Sequence, residues 1–313
     1  MENKNNWRAW LYLAPVLLLM GVFTFFPLIN TIVISFMKDY KVTTGANSGF
    51  TFDNYGYVLG LVEAVKGTGV YDTNFFSLTG PSALSNTLLI TFITVPISVV
   101  LALVIAIAIN NIKFLQKFFQ TIFFMPYVTN VIAVGMVFAV MFDVTGVVNS
   151  LFGISNPWLS ETQATWGSVM FVLCLYVIWN ALPYKILIFL SGLQGIDKQY
   201  YEAAKIDAAP RWKTNLKITV PLLSPQILYI TVTSFIGAFK EYNSVIGLIN
   251  RSNSAAGLGH DMYTVVYYIY DKMQGTNWNA NTQYASAAAV ILFIIILIFT
   301  FIELQVSKKR VVY

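Results

Sequence analysis

Two stretches of this chain, VVLALVIAIAI at 99–109 and AVILFIIILIF at 289–299, carry no charge, and they restrict its fold more than any other feature. A helix rises about 1.5 Å per residue, so about 20 apolar residues cross the ~30 Å hydrocarbon core of a bilayer. Six segments meet that length: 10–36, 84–110, 118–141, 165–192, 219–240 and 284–304. Of the 313 residues, 57% are apolar or aromatic and 11% are charged, against about 25% charged in soluble domains. A soluble chain of this composition would expose much of its apolar surface to water, so lipid is its solvent. The reading is an all-α integral membrane protein with six transmembrane helices. Pro27, Pro96, Pro126 and Pro183 interrupt the spans and are read as kinks, since neighbouring helices can satisfy the freed carbonyls.

The net charge of +5 does not point to nucleic acid, because the basic residues lie in short segments beside the spans. They report topology. With the N-terminus inside, Lys4, Arg8, Lys113, Lys117, Lys198, Lys205, Arg211, Lys213, Lys217, Lys308, Lys309 and Arg310 are cytoplasmic. Lys38, Lys41, Lys66, Lys240, Arg251 and Lys272 face the other side. That excess places both termini in the cytoplasm. Trp10 to Phe36 is too long for a signal-peptide core and is kept as the first span.

The expected layout is a cytoplasmic N-terminus and first helix over 1–36, an extracellular loop over 37–83, a five-helix core over 84–304, and a tail over 305–313. A helical piece is expected at 55–66 and a short one at 262–273; the second extracellular loop covers 241–283. Cys174 is the only cysteine, so no intrachain disulfide forms. His260, the only histidine, has no second imidazole to build a metal or triad site and reads as a loop residue. No GxxxxGK[ST] loop cradles a nucleotide, so any ATP-derived energy comes from another polypeptide.

The longest inside loop reads GLQGIDKQYYEAAKIDAAPRWKTNLKITVPLLSP at 192–225. It predicts a surface helix over 199–210, closed by Pro210, with Glu202 and Asp207 toward solvent and small Ala203, Ala204, Ala208 and Ala209 permitting close approach of a partner. Here the sequence resembles the permease subunits of binding-protein-dependent ABC importers, in particular the MalF-like carbohydrate-uptake branch. Their EAA signature is matched by Glu202-Ala203-Ala204, Asp207-Ala208-Ala209 and Ile218-Thr219-Val220-Pro221. The glycine usual after the aspartate is Ala208 here, which suits a continuous helical turn and predicts a gentler bend. YLAPVLLLMGVFTFFPLINTIVISFMKDY at 12–40, FDNYGYVL at 52–59, LSNTLL at 84–89 and YASAAAVILFIIILIFT at 284–300 also fall in family order.

The resemblance implies a MalF/MetI-like fold in which Glu202, Ala203, Ala204, Asp207 and Ala208 form a coupling helix on a cytoplasmic ATPase, flanked by Lys205 and Arg211. It implies as partners a second permease, two ATPase subunits that bind ATP and Mg, and an extracellular solute-binding protein; the chain itself needs no cofactor and is no enzyme. In maltose-type permeases the substrate pocket lies in two spans. Aligned on LPYK and TSF, its positions fall near Trp179, Asn180, Ala181, Tyr184, Ser234, Gly237 and Glu241. Aromatic faces suit pyranose C–H edges, and the polar groups suit hydroxyls.

Lys185 adds a separate signal, since a lysine within a span costs about 2.5–3.5 kcal/mol on insertion scales and must face protein or a wet path. If Lys185 and Lys240 both reach the cavity, the cargo is anionic; if Lys185 pairs with Glu241, a neutral oligosaccharide fits. The expected cargo is a sugar or oligosaccharide, with an anionic glycan, glycerol phosphate or another small polar solute as the alternative. An ion-coupled secondary transporter would need internal repeats that the sequence lacks.

Overall fold

The computed structural model describes residues 6–63, 72, 74–77, 80–112, 116–160, 163–249, 262–274 and 278–307. His260, and the tail from 308 onward, lie outside the described residues, as do Lys4, Lys66, Lys113 and Arg251. In chain order the helices are α1 (Asn6–Met20), α2 (Phe26–Ser35), α3 (Asp53–Val58), α4 (Ala83–Asn111), α5 (Gln116–Val128), α6 (Val131–Met141), α7 (Val147–Phe152), α8 (Trp166–Gln194), α9 (Lys198–Ile206), α10 (Arg211–Thr214), α11 (Val220–Leu222), α12 (Ser224–Phe239), α13 (Asn243–Ile249), α14 (Val265–Gln274) and α15 (Trp278–Ser307). Among the described residues β structure is limited to isolated bridge pairing such as that of Met37 with Phe50. The fold is an all-α, multi-spanning membrane protein.

Four helical stretches are long and apolar enough to span a bilayer singly: Trp10–Ser35, Ala83–Asn111, Trp166–Gln194 and Asn281–Val306. Two bent pairs raise the number to as many as six. α4 and α8 run unbroken through Pro96 and Pro183, and each starts with a capping box, Ser82 with Ser85 and Thr165 with Ser168, that satisfies the first amides. Near Pro27 the chain widens into a π turn over Gly21–Phe25, with the Phe26 amide bonded to the Gly21 carbonyl.

In the third segment the kink expected at Pro126 is a full break placed further along the chain, and the fifth, expected as one span over 219–240, is broken as well. α5 and α6 meet at 98°, and the break falls beyond Pro126. The Thr129 hydroxyl donates to the Pro126 carbonyl at 2.7 Å, and Asn130 caps α6 by accepting from the Ile132 and Ala133 amides at 2.9 and 3.3 Å. A new helix nucleates there because the asparagine satisfies its first donors. The stretch Arg211–Leu222 meets α12 at 69°. Pro221 and Pro225 flank that break, and Pro225 has no N–H to give the Pro221 carbonyl, so one rung of the ladder is lost across it. The helix in the segment that follows α2 is also shorter than the 55–66 expected, Asp53–Val58.

A third correction concerns Ala208. It sits at φ +51°, with the Ala209 amide on the Ala204 carbonyl at 2.9 Å and the Ala208 amide on the Lys205 carbonyl at 3.0 Å. These two bonds close a Schellman motif whose C′ residue must be left-handed whatever its side chain. Ala208 therefore takes the conformation glycine would take, at roughly 1–2 kcal/mol, and α9 stops at Ile206 instead of running on to 210.

The chain forms two compact units. The larger comprises 76–267 and 294–313. Within it α4 packs along α8, α12 crosses α4, and α6 lies on α13. One apolar cluster centres on Leu173, Tyr176 and Val245, another on Ala102, Phe189 and Leu223.

The smaller unit comprises 1–75 and 268–293. Its Asn54 side chain donates to the Ser35 and Met37 carbonyls, both at 2.9 Å, tying α3 to the end of α2. Lys272 pairs with Asp72 at 2.8 Å, with side chains 14% and 3% exposed. Tyr268 also donates to Asp72, at 3.0 Å, and the ammonium lies 5.4 and 5.1 Å from the Tyr57 and Tyr268 ring centres. Burial alone would lower the Lys272 pKa, but the hydrogen bond and charge of Asp72 outweigh it and raise it above 10.5. The ammonium's contribution is thus complete at neutral pH and fades only as pH climbs through that raised value. Lys272→Met strands the Asp72 carboxylate and is expected to cost about 3 kcal/mol. Thermal unfolding of the purified transporter checks this: the melting temperature falls for Lys272→Met and recovers in part when Asp72→Asn is added.

Candidate functional site

An open cleft of about 400 Å³ lies within the larger unit, walled by α4, α5, α8 and α12. Helical spacing brings Asn180, Ala181 and Tyr184 of α8 onto one face, and all three line the cleft. Lys185 lines it beside them. From the opposite wall come Ser234 and Gly237, with Glu241 just past the end of α12. Of the eight residues read from sequence as substrate-facing, Trp179 does not line the cleft. It is turned toward Phe138, ring centres 5.3 Å apart.

Lys185 is 5% exposed, and its ammonium donates a hydrogen bond to the Ser98 hydroxyl. Ser98 in turn donates to the Val95 carbonyl at 3.1 Å. Glu241 accepts the Ser244 amide at 3.0 Å, capping α13 near its start, and no ion pair joins it to Lys185. Lys240 is exposed and outside the cleft lining. Of the two electrostatic alternatives left open by the sequence, Lys185–Glu241 pairing is absent and the two-lysine cavity reduces to one lysine.

Sequence reasoning missed the contribution of other helices. Thr94 and Ser98 of α4, Tyr127 of α5 and Thr233 of α12 also line the cleft. Tyr127 lies over Tyr184 with ring centres 5.9 Å apart and planes 20° from parallel, and Tyr184 meets the Tyr229 hydroxyl at 3.2 Å. A signal was there: Thr87, Thr91, Thr94 and Ser98 recur at helical spacing inside an otherwise apolar span, and all four are buried.

On α9, Asp197 caps the helix by accepting from the Gln199 amide at 3.0 Å. Glu202, Ala203, Asp207 and Ala208 are exposed, whereas Ala204 is buried and faces the protein. Tyr201, next to the exposed face, bonds the Thr219 hydroxyl at 3.2 Å and fastens α9 to the following segment. Ile206, which sequence reasoning passed over, is 86% exposed.

A bundle of apolar helices, two of the spans broken, around an open cleft that carries a few polar side chains, with a short capped helix on a connecting loop, defines the class: a multi-spanning solute permease. Residues 98–312 match the family described as binding-protein-dependent transport system inner membrane component, and the chain belongs to that family. It is 28% identical to the lactose transport system permease protein LacF of Rhizobium radiobacter, over 99% of this chain and 97% of that one. It is 31% identical to the arabinooligosaccharides transport system permease protein AraP of Bacillus subtilis, over 97% and 93%. A crystal structure of a bacterial ABC transporter that imports the acidic polysaccharide alginate has the same fold, with TM-score 0.74, 19% identity, and coverage of 98% and 96%. The protein is therefore a multi-pass inner-membrane permease subunit of an ABC importer. It works beside a second permease, with ATPase subunits that supply energy and a solute-binding protein that delivers cargo.

Proposed function

We propose that this permease carries a carbohydrate bearing an acidic group, and that the α4–α8–α12 cleft is the point at which it meets that solute. One observation carries the acidic reading: Lys185 is buried in the cleft with a hydroxyl and no carboxylate beside it. An uncompensated ammonium at membrane depth costs about 2.5–3.5 kcal/mol, which an anion on the solute would offset. Relatives whose names give lactose and arabinooligosaccharides as cargo support a carbohydrate. Asn180, Ser234 and Glu241 would meet hydroxyls, Ala181 and Gly237 would leave room for a ring, and Tyr184 with Tyr127 would supply faces for C–H edges. Trp179 is assigned to packing on Phe138. A neutral oligosaccharide is the second reading, favoured by Glu241 in the same cleft.

In the same proposal both termini are cytoplasmic, the segments 37–83 and 241–283 receive the binding protein outside, and Glu202, Ala203, Asp207 and Ala208 on α9 dock the ATPase. Ala204 holds α9 against its own chain. The test is a panel of neutral and uronate oligosaccharides presented to the transporter's own solute-binding protein, with stimulated ATPase activity of the reconstituted transporter as readout. At least tenfold preference for uronates is expected. Equal or neutral-only stimulation would transfer the assignment to the neutral reading, and no response to any sugar would overturn a carbohydrate cargo.

A further inference from the structure

Ser98 is one of the lining residues that sequence reasoning passed over, and its bonding is directional. Its hydroxyl proton is committed to the Val95 carbonyl three residues back on the same helix. What it can offer across the cleft is a lone pair, and the Lys185 ammonium takes it. An ammonium has three donors. One is held by Ser98, and the other two meet no protein acceptor among the described residues. The side chain is 95% removed from solvent, yet it lines an open cleft. A flexible lysine stem would otherwise let the charge swing among several positions.

We propose that Ser98 is the positioning residue for acid recognition: by accepting one N–H it fixes the Lys185 ammonium so that the remaining two donors point to where a carboxylate or sulfonate on the passing solute binds. This rests on the acidic-cargo reading above and adds a residue on a third helix, so α4 takes part in selectivity alongside α8 and α12. Ser98→Ala frees the ammonium and loses its orientation. Ser98→Thr keeps the hydroxyl and its acceptor. Ser98→Asp pairs the cation internally and cancels its charge toward the solute.

The test uses the complete transporter in proteoliposomes with one unchanged binding protein, so that any change in selectivity comes from the permease. The probes are an oligogalacturonate and its carboxyl-reduced neutral counterpart, and the readout is the ratio of their kcat/KM values for uptake. Lys185→Met is expected to bring the ratio to about one. Ser98→Ala and Ser98→Asp are expected to lower it about tenfold through the KM of the acidic probe, with uptake of the neutral probe retained, and Ser98→Thr to keep the wild-type ratio. If Lys185→Met collapses the ratio while Ser98→Ala leaves it intact, the role of Ser98 is wrong and the cargo reading stands. Loss in Ser98→Thr as large as in Ser98→Ala would also overturn it, since that is the behaviour of a packing site. If Lys185→Met itself leaves the ratio unchanged, the cargo reading falls, and the role of Ser98 falls with it.

Discussion

Solute-stimulated ATP hydrolysis by the reconstituted transporter is expected to drop about thirtyfold or more when Ile206 is replaced by glutamate, with the permease still assembled in the membrane. Ile206 is 86% exposed at the last turn of α9, on the helix face shared with Glu202 and Ala203. A large apolar side chain so exposed, on a short helix, makes sense as a knob for the pocket of another subunit. One well-seated anchor of this kind contributes about 2 kcal/mol, which is the thirtyfold. A buried glutamate would lose that and add a desolvation cost. The permease itself should tolerate the change, because α9 is held from its other side by Ala204 and the Tyr201–Thr219 contact. Ala208→Gly provides the contrast: it relaxes the left-handed strain and takes only one methyl group from the proposed docking face, so coupling is expected to persist with slightly higher thermal stability. Full activity in Ile206→Glu would remove α9 as the site of ATPase contact.

Gly135→Leu is expected to destabilise the fold by about 3 kcal/mol or more. A Cβ at Gly135 would lie 2.7 Å from the Cα of Gly247 and 2.9 Å from its carbonyl carbon. The converse holds at Gly247, where a Cβ would fall 3.0 Å from the Gly135 Cα and 3.1 Å from the Ile132 carbonyl oxygen. The obstacle in each case is backbone, which cannot rotate aside as a side chain would. Overpacking a core commonly costs about 1–3 kcal/mol, and here α6 and α13 must separate bodily. Small residues allow close helix approach in membranes, where packing is the main attraction between helices. The shift would propagate to the cleft, because Val131 of α6 lines it and accepts the Tyr176 hydroxyl. Melting temperature and monodisperse yield of the purified transporter check this; an unchanged melting temperature would mean the two helices do not meet as described.

The parts legible in the sequence were those governed by local chemistry. Runs such as 99–109 and 289–299 can only be helices in lipid, since their backbone groups have no water to bond. The EAA pattern was legible for the same reason, as contiguous residues on one loop. Spacing within a single helix was enough to put Asn180 and Tyr184 on one face, with Ala181 and Lys185 beside them. Local reading failed where the deciding partner was elsewhere. It put Ala208 in a helix because alanine favours one, whereas the closing bonds of α9 impose a left-handed turn. It read Pro126 as the kink in the third span, whereas the bend came three residues later, where Thr129 and Asn130 satisfy the exposed groups.

By itself the sequence determined the solvent, the helical class, the approximate spans and the loop that marks the family, because each depends on composition or on neighbours a few residues apart. Only the tertiary structure decided what surrounds Lys185. The sequence left its charge balanced between Glu241 and a solute; the fold carries Ser98, 87 residues away, to its ammonium and ties Glu241 to the Ser244 amide instead. That choice depends on which helices pack side by side. Packing between distant segments turns on shape and close approach, as at Gly135 and Gly247, and leaves no periodic mark in the chain.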